Sequence, residues 1–169
     1  MDYYFSLGSN IGNREEYLRK GIICLKETGR ILNISSVYET GPVGMVKGTE
    51  MFLNIVVHID SDILPENMIK KIKGFEKRSG RKATASHLKP REIDIDIIFA
   101  GNLIINTEKL IIPHREMEKR LFVLYPLNEI SPEFIHPVSG LTMKKILKKN
   151  IKDDFIRKIG KISDISDQS

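Results

Sequence analysis

The sequence has a single cysteine and contains no apolar run long enough to cross a membrane. A transmembrane helix needs about 20 consecutive apolar residues, so we expect no membrane-spanning segment. Cys24 has no second cysteine with which to form an internal disulfide, which fits a reducing cytoplasm. Its expected role is that of a small core residue on a helix. The first residues lack the basic region of a secretory signal peptide, which also favours a cytoplasmic protein.

Length and charge limit the domain organisation and the partners. At 169 residues, we expect a single domain over residues 1–163 and a frayed tail over residues 164–169. We find no internal repeat, linker or low-complexity segment, and no sign of an obligatory protein partner. The net charge of +5 fits nucleic acid but equally fits any anionic ligand.

The most informative stretch is REIDIDIIF, residues 91–99, which alternates apolar and polar residues as a half-buried strand does. The isoleucines fall on one face, and Asp94 and Asp96 fall on the other. Two residues apart on a strand, their Cα atoms lie about 7 Å from each other. A Mg²⁺ ion would remove the repulsion between these carboxylates, because it takes one or two carboxylates together with substrate phosphates. A solvated strand edge carrying two charges is the alternative.

Basic residues cluster on both sides of this pair, in residues 80–91 and residues 113–122. An acidic pair flanked by basic loops suits a polyphosphate that is bridged by metal ions, because arginine and lysine neutralise the remaining phosphate charge. A surface that only keeps the protein soluble explains the clustering of these charges poorly.

The order of the elements predicts an α+β fold, a ferredoxin-like βαββαβ sandwich with an added C-terminal hairpin and short helices. In this arrangement both helices cover one face of an antiparallel sheet, and the other face is free. The predicted elements are strand 2–8, helix 13–28, strand 30–38, strand 52–59, a helix that begins at Pro65, strand 92–99 with a hairpin to strand 103–106, and a helix near 142–149. In the third strand, Asn54 lies beside Phe52 on the face opposite the aliphatic residues. Since asparagine is disfavoured within strands, this pair indicates a polar contact next to an aromatic platform.

Several motifs together resemble the 6-hydroxymethyl-7,8-dihydropterin pyrophosphokinases, a family of folate-pathway enzymes. They are residues 8–13 (GSNIGN), 36–44 (SVYETGPVG), 52–54 (FLN), 90–98 (PREIDIDII), 113–114 (PH) and 120–122 (RLF). The resemblance covers nearly the whole chain, from Leu7 to about Lys149. The acidic element is specific when Pro-His follows at this distance, whereas Gly-Ser-Asn alone is weak.

The resemblance implies that ATP donates its β,γ-pyrophosphoryl group to the pterin hydroxymethyl oxygen and that AMP is released. Two Mg²⁺ ions would bridge the triphosphate, with Asp94 and Asp96 as their ligands. Glu76 matches a family carboxylate that supports the site from behind. The other implied site residues fall into three groups: Arg81, Arg91 and Arg120 for catalysis; Arg91, Ile97, Lys109, His114 and Arg115 for ATP; and Thr40, Gly41, Pro42, Val43, Phe52, Asn54 and Phe122 for the pterin.

The sequence departs from the family pattern in the loop that precedes the acidic strand. Leu88 and Lys89 stand where an aromatic residue and a glycine are common, and Ala83 stands where some members have arginine. Arg115 replaces a frequent tyrosine. We expect the same reaction with altered loop closure or nucleotide affinity.

Other functions are compatible with parts of the pattern. Another two-metal, nucleotide-dependent transferase on the same fold could use the same Asp pair, and a nucleotidyltransferase of this kind would release pyrophosphate instead of AMP. An RNA-binding domain shares the sheet plan and the positive charge, but the sequence lacks the aromatic motif that such domains require. A ligand-binding regulatory domain would not need two adjacent metal carboxylates. We therefore expect ATP and a pterin as partners, and neither nucleic acid nor a membrane.

Overall fold

A central antiparallel sheet organises the computed structural model, which describes residues 1–41, 48, 50–80, 92–152 and 154–163. Within these ranges the chain forms eight strands and four α-helices, together with a short 3-10 turn at Met117–Lys119. The strands are β1 (Asp2–Ser9), β2 (Arg30–Ile34), β3 (Val37–Thr40), β4 (Phe52–Asp60), β5 (Asp94–Ala100), β6 (Ile105–Asn106), β7 (Ile111–Ile112) and β8 (Ile156–Gly160). The helices are α1 (Arg14–Lys26), α2 (Pro65–Arg78), α3 (Leu121–Ile130) and α4 (Met143–Asn150).

The main sheet has the order β5-β1-β4-β3-β8, and β2 also pairs with β4. All of these pairings are antiparallel. With α1 after β1 and α2 after β4, the order is the predicted βαββαβ arrangement, which is confirmed. The central β1 pairs with both β4 and β5, so it connects the two strands that carry the predicted pterin and metal residues.

Local sequence signals account for the starts of both predicted helices. Asn13 caps α1, because its side chain accepts a hydrogen bond from the Glu16 amide at 3.1 Å. Pro65 occupies the first turn of α2, where a missing N–H is tolerated. Both helices pack their apolar residues, including Leu18 and Met68, against one face of the sheet. Cys24 is buried in α1, as predicted.

The other face of the sheet is covered, and the prediction that it is free was wrong. A second apolar cluster joins Tyr4, Val56 and Phe99 of the sheet to side chains of α3 and α4. This layer was not predicted because the α3 sequence is apolar on several sides and contains Pro126, so it has no clear amphipathic pattern. The central strands β1, β4 and β5 are therefore buried on both faces over much of their length.

Two predicted strand assignments were also wrong. The predicted strand 30–38 is divided into β2 and β3 at Ser35 and Ser36, where the Ser35 hydroxyl replaces a backbone carbonyl as the acceptor of the Val56 amide of β4. The hairpin does not join β5 to residues 103–106. Instead, β6 pairs with β7 in a separate two-stranded sheet. The strand β8 was not predicted, and the tail over residues 164–169 lies outside the described residues.

Candidate active site

Asp94 and Asp96 lie on the face of β5 opposite the buried isoleucines, as the alternation predicted. In the register with β1, Asp94 is opposite Gly8 and Asp96 is opposite Ser6. The side chain of Asp96 is 29% exposed, so it is shielded yet reachable. The two carboxylates therefore share one face beside a strand whose nearest residues have small side chains.

Two basic side chains approach Asp96. Its Oδ2 lies 3.7 Å from Nε2 of His114 and 3.6 Å from Nη1 of Arg120. Burial raises the pKa of Asp96, the neighbouring charge of Asp94 raises it further, and His114 and Arg120 oppose the change. Arg120 and His114 thus compensate only part of the repulsion between the two carboxylates, and a bound metal cation would relieve the rest.

Hydrogen bonds fix the position and the tautomer of His114. Its backbone N–H donates to the Ile98 carbonyl at 3.0 Å, which ties the residue to β5. The Glu116 amide donates to its Nδ1 at 3.2 Å, so the neutral ring carries its proton on Nε2, the atom nearest Asp96. Burial lowers the pKa of His114, although Asp96 opposes this shift. The neutral imidazole therefore offers an N–H donor to the site.

Glu76 lies directly behind the acidic pair and is completely buried. Its Oε1 accepts the backbone N–H of Ile95 at 2.8 Å, and its Oε2 pairs with Lys73 at 3.0 Å. Burial raises the pKa of Glu76, whereas Lys73 and the Ile95 amide lower it. This carboxylate holds the backbone of β5 at the residue between Asp94 and Asp96.

Asn54 is buried on β4, and its amide has a defined direction. Nδ2 donates to the Thr40 hydroxyl at 2.9 Å and to the Tyr38 carbonyl at 3.5 Å. An added Cβ at Gly8 would lie 3.0 Å from Oδ1 of Asn54 and 3.8 Å from Cδ1 of Phe52. Phe52 and Asn54 therefore lie close together beside Gly8, which supports the predicted combination of an aromatic platform and a polar edge.

The sheet places these groups in one row. Tyr38 pairs with Asn54, Asn54 pairs with Gly8, and Gly8 pairs with Asp94. Directly paired residues point to the same face, so the only position in the row without a side chain separates the amide from the carboxylate. Sequence reasoning did not assign Gly8 to the site. Its place in the Gly-Ser-Asn motif directly after an apolar strand was the available signal.

Phe122 and Arg120 lie at the start of α3. The guanidinium carbon of Arg120 is 5.7 Å from the centroid of the Phe122 ring, in a cation–π arrangement. Phe122 is partly buried against the second apolar cluster. It is the second residue of α3.

The remaining predicted ATP residues are more dispersed. The side chain of Ile97 is buried on the opposite face of β5, with the first apolar cluster, so it does not line the carboxylate face. Lys109 is exposed before β7, and Arg115 is exposed directly after His114. The predicted residues Pro42, Val43, Arg81 and Arg91, and the departures Ala83, Leu88 and Lys89, lie outside the described residues.

The residues present fit a magnesium-bound phosphate better than a preformed metal site. Within the described ranges, no group of three or more histidine, cysteine, aspartate or glutamate side chains could hold a metal ion. Asp94 and Asp96 would supply carboxylate oxygens, and the remaining ligands would be water and phosphate oxygens, as is usual for Mg²⁺.

Comparison with known proteins identifies the family. Residues 4–132 match the family model of 7,8-dihydro-6-hydroxymethylpterin-pyrophosphokinase (HPPK). The chain belongs to this family. The resemblance found in the sequence is thereby confirmed, and with it the predicted enzyme class, an ATP-dependent pyrophosphokinase of folate synthesis.

Similar proteins include single enzymes and longer chains. The chain is 41% identical over 152 residues to a 2-amino-4-hydroxy-6-hydroxymethyldihydropteridine pyrophosphokinase of Aquifex aeolicus, covering 90% of this chain and 94% of that protein. It is 40% identical over 129 residues to the Bacillus subtilis protein of the same name, covering 75% and 76% respectively. It also matches a folic acid synthesis protein of Pneumocystis carinii at 38% identity, covering 89% of this chain but only 20% of that protein.

A solved structure shares the fold. The wild-type HPPK-DHPS of Plasmodium falciparum with pteroate superposes with a TM-score of 0.72, covering 94% of this chain and 47% of that one at 18% identity. Within the described residues of the present chain, no helix has the length and apolar character needed to cross a membrane.

Proposed function

We propose that the carboxylate face of β5 binds the polyphosphate of ATP and that the Asn54 end of the same row binds the pterin. The pterin hydroxymethyl oxygen attacks the β-phosphorus of ATP and loses its proton to solvent. The bond between the β-phosphorus and the oxygen that bridges it to the α-phosphorus breaks, and AMP leaves with that oxygen. The observation that supports this proposal is the row Asn54–Gly8–Asp94, in which only a glycine stands between the amide and the carboxylate.

Asp94 and Asp96 would hold two Mg²⁺ ions, which when bound neutralise charge on the transferred group and align the reacting oxygens. Arg120 would take up phosphate charge, and its 3.6 Å distance from Asp96 supports this role. His114 is held with its Nε2 proton on the same side and can donate to a phosphate oxygen. Glu76 supports both carboxylates through the Ile95 amide.

The pterin is flat and polar, so its site needs aromatic walls and a hydrogen-bonding edge. Phe52 and Phe122 are the proposed walls. Asn54, with its amide direction fixed by Thr40, would read the ring edge, and the backbone after Thr40 would complete it. Arg81 and Arg91 are proposed to close over the reacting groups, while Lys109, Arg115 and the backbone near Ile97 are proposed to meet the nucleotide.

A cytoplasmic location is supported by the single, buried Cys24. ATP and the dihydropterin are the proposed small-molecule partners. The same acidic pair could serve a two-metal nucleotidyltransferase, but the Asn54 end of the row supports a pterin acceptor.

The test is the identity of the nucleotide product. The protein is incubated with ATP, Mg²⁺ and 6-hydroxymethyl-7,8-dihydropterin, and the nucleotides are separated by chromatography. We expect AMP only when the pterin is present. Free pyrophosphate with a nucleotidylated acceptor would indicate a nucleotidyltransferase. ADP or unchanged ATP would contradict both the pyrophosphokinase and the nucleotidyltransferase.

A further inference from the structure

The outermost strand β8 lies beyond residues 4–132, the part of the chain that matches the family model. It pairs antiparallel with β3, with Lys158 opposite Tyr38 and Ile156 opposite Thr40. The contact continues past the strand, because the Gly41 amide donates to the Phe155 carbonyl at 3.5 Å. The C-terminal segment thus reaches the backbone that begins the proposed pterin edge.

A carboxylate in α3 connects this segment to β3. Glu129 Oε1 accepts from Nζ of Lys161 at 2.9 Å, and Nζ of Lys158 lies 3.6 Å from Oε2. On the β3 side, the Tyr38 hydroxyl donates to Oε2 at 2.8 Å, and the backbone N–H and hydroxyl of Ser36 also donate to Glu129. Glu129 therefore ties together the helix, the strand and the C-terminal segment.

The position of β3 in turn decides the direction of the Asn54 amide. Both acceptors of Asn54 Nδ2, the Thr40 hydroxyl and the Tyr38 carbonyl, belong to β3. With Nδ2 turned toward β3, Oδ1 faces the space above Gly8. A small displacement of β3 would weaken the 2.9 Å bond to Thr40 and release the side chain that is proposed to read the pterin.

We propose that Lys161 and Glu129 are positioning residues for the pterin site, and that the C-terminal segment acts through them to hold β3 and the Asn54 amide. This inference rests on the proposed pterin site. An exposed ion pair alone contributes little, but Glu129 is only 18% exposed and accepts hydrogen bonds from three residues. Ile162, next to Lys161, also packs against the first apolar cluster and anchors the segment.

The decisive experiment compares ligand affinities of the full-length chain. Lys161→Met removes the charge and keeps the aliphatic length, Lys161→Arg restores a donor, and Lys148→Met changes an exposed lysine of α4 as the matched control. Calorimetric titrations give the dissociation constant of the pterin in the presence of a non-hydrolysable ATP analogue and Mg²⁺, and separately that of the analogue.

We expect Lys161→Met to weaken pterin binding by about three- to tenfold, an effect the size of a well-placed charged contact. Binding of the analogue should stay within about twofold, Lys161→Arg should recover most of the pterin affinity, and Lys148→Met should match the wild type. Unchanged pterin affinity in Lys161→Met, or an equal loss for both ligands, would overturn the inference.

Amide hydrogen exchange provides an independent readout. Faster exchange at Gly41 in Lys161→Met and in Glu129→Gln, with unchanged exchange in the core of β1, is expected if β3 is released locally. Uniformly faster exchange would show general destabilisation and would contradict a positioning role. Wild-type protein that fails to bind the pterin would refute the proposed function, whereas normal pterin binding by both wild type and Lys161→Met would refute only this inference.

Discussion

Glu76 accepts a hydrogen bond at 2.8 Å from the backbone N–H of Ile95, the residue between Asp94 and Asp96. Replacing Glu76 with leucine would leave this buried N–H and Lys73 without their acceptor. We expect a loss of about 1–3 kcal/mol in the free energy of unfolding, together with reduced turnover. Glu76→Gln keeps an oxygen that can accept the N–H and should lose less. Equal unfolding midpoints for Glu76→Leu and Glu76→Gln in denaturant titrations would show that the hydrogen bond from the Ile95 amide does not contribute to stability.

Asp96→Ala should lower turnover by several orders of magnitude because a proposed metal ligand is lost. The fold should persist, since burial raises the pKa of this carboxyl and its removal relieves repulsion from Asp94. AMP formation is the measurement, and Asp62→Ala, on an exposed aspartate, is the control. If Asp96→Ala keeps more than about a tenth of the wild-type rate, the metal role is ruled out, because loss of a metal ligand should leave far less activity.

Gly8→Ala should weaken pterin binding. The new methyl group would lie 3.0 Å from Oδ1 of Asn54 and 3.8 Å from Cδ1 of Phe52, in the space between the two proposed binding regions. We expect a loss of about 1–3 kcal/mol in pterin affinity, typical of overpacking.

A matched glycine variant separates this effect from general changes. In Gly74→Ala the nearest neighbour of the new methyl is the flexible end of Arg78, at 3.4 Å in the middle of α2. This variant should gain about 0.5–1 kcal/mol in stability and bind the pterin normally. Normal pterin affinity in Gly8→Ala would contradict the placement of the site.

Phe122→Ala should weaken pterin binding by about 0.5–1.5 kcal/mol through lost stacking. The affinity for an ATP analogue should change little. The exposed Ile104, truncated to alanine, is the control for loss of apolar surface. If both ligands bind more weakly to the same extent, Phe122 is a packing residue of the second apolar cluster and not a pterin wall.

Acid stability should depend on Glu129. Despite partial burial, which acts in the opposite direction, hydrogen bonds from Lys161, Tyr38 and Ser36 lower its pKa from 4.5 to about 2. Between these two pKa values the unfolded chain binds more protons than the folded chain. The stabilisation is therefore complete above pH 4.5 and is lost as the pH falls toward 2.

The contribution is at most about 3 kcal/mol, and less where solvent screens the lysines. Unfolding free energies of wild type and Glu129→Gln, measured from pH 6 down to pH 3, should converge as the pH falls. Glu133→Gln, on an exposed carboxylate, should parallel the wild type. A constant difference between wild type and Glu129→Gln would contradict the linkage.

The sequence predicted those features that have a local physical signature. The alternation around Asp94 and Asp96, the cap at Asn13 and the proline at the start of α2 all appear in the structure. The polar contact of Asn54 was likewise predicted from its unfavourable place within a strand. Each signal depends on a few neighbouring residues, so no knowledge of the tertiary structure was needed.

The features that were missed depend on distant contacts. The pattern of β8 is charged and mostly exposed, so its strand character comes from pairing with β3. The supporting role of Glu76 was implied by the family resemblance alone, because a buried carboxylate on the inner side of a helix is tolerated only when it has partners such as Lys73 and the Ile95 amide. The role of Gly8 became visible only from its neighbours across two strands, Asn54 and Asp94.

The two apolar layers divide the central strand into segments with different tolerance of substitution. From Tyr3 to Leu7 every side chain is buried, whereas Gly8 lies against Asn54 and Phe52 of the proposed site. In a saturation mutagenesis screen that scores abundance and catalytic turnover separately, positions up to Leu7 should fail in both scores. Variants at Gly8 should accumulate in cells with reduced turnover, so the two scores should separate between two adjacent codons.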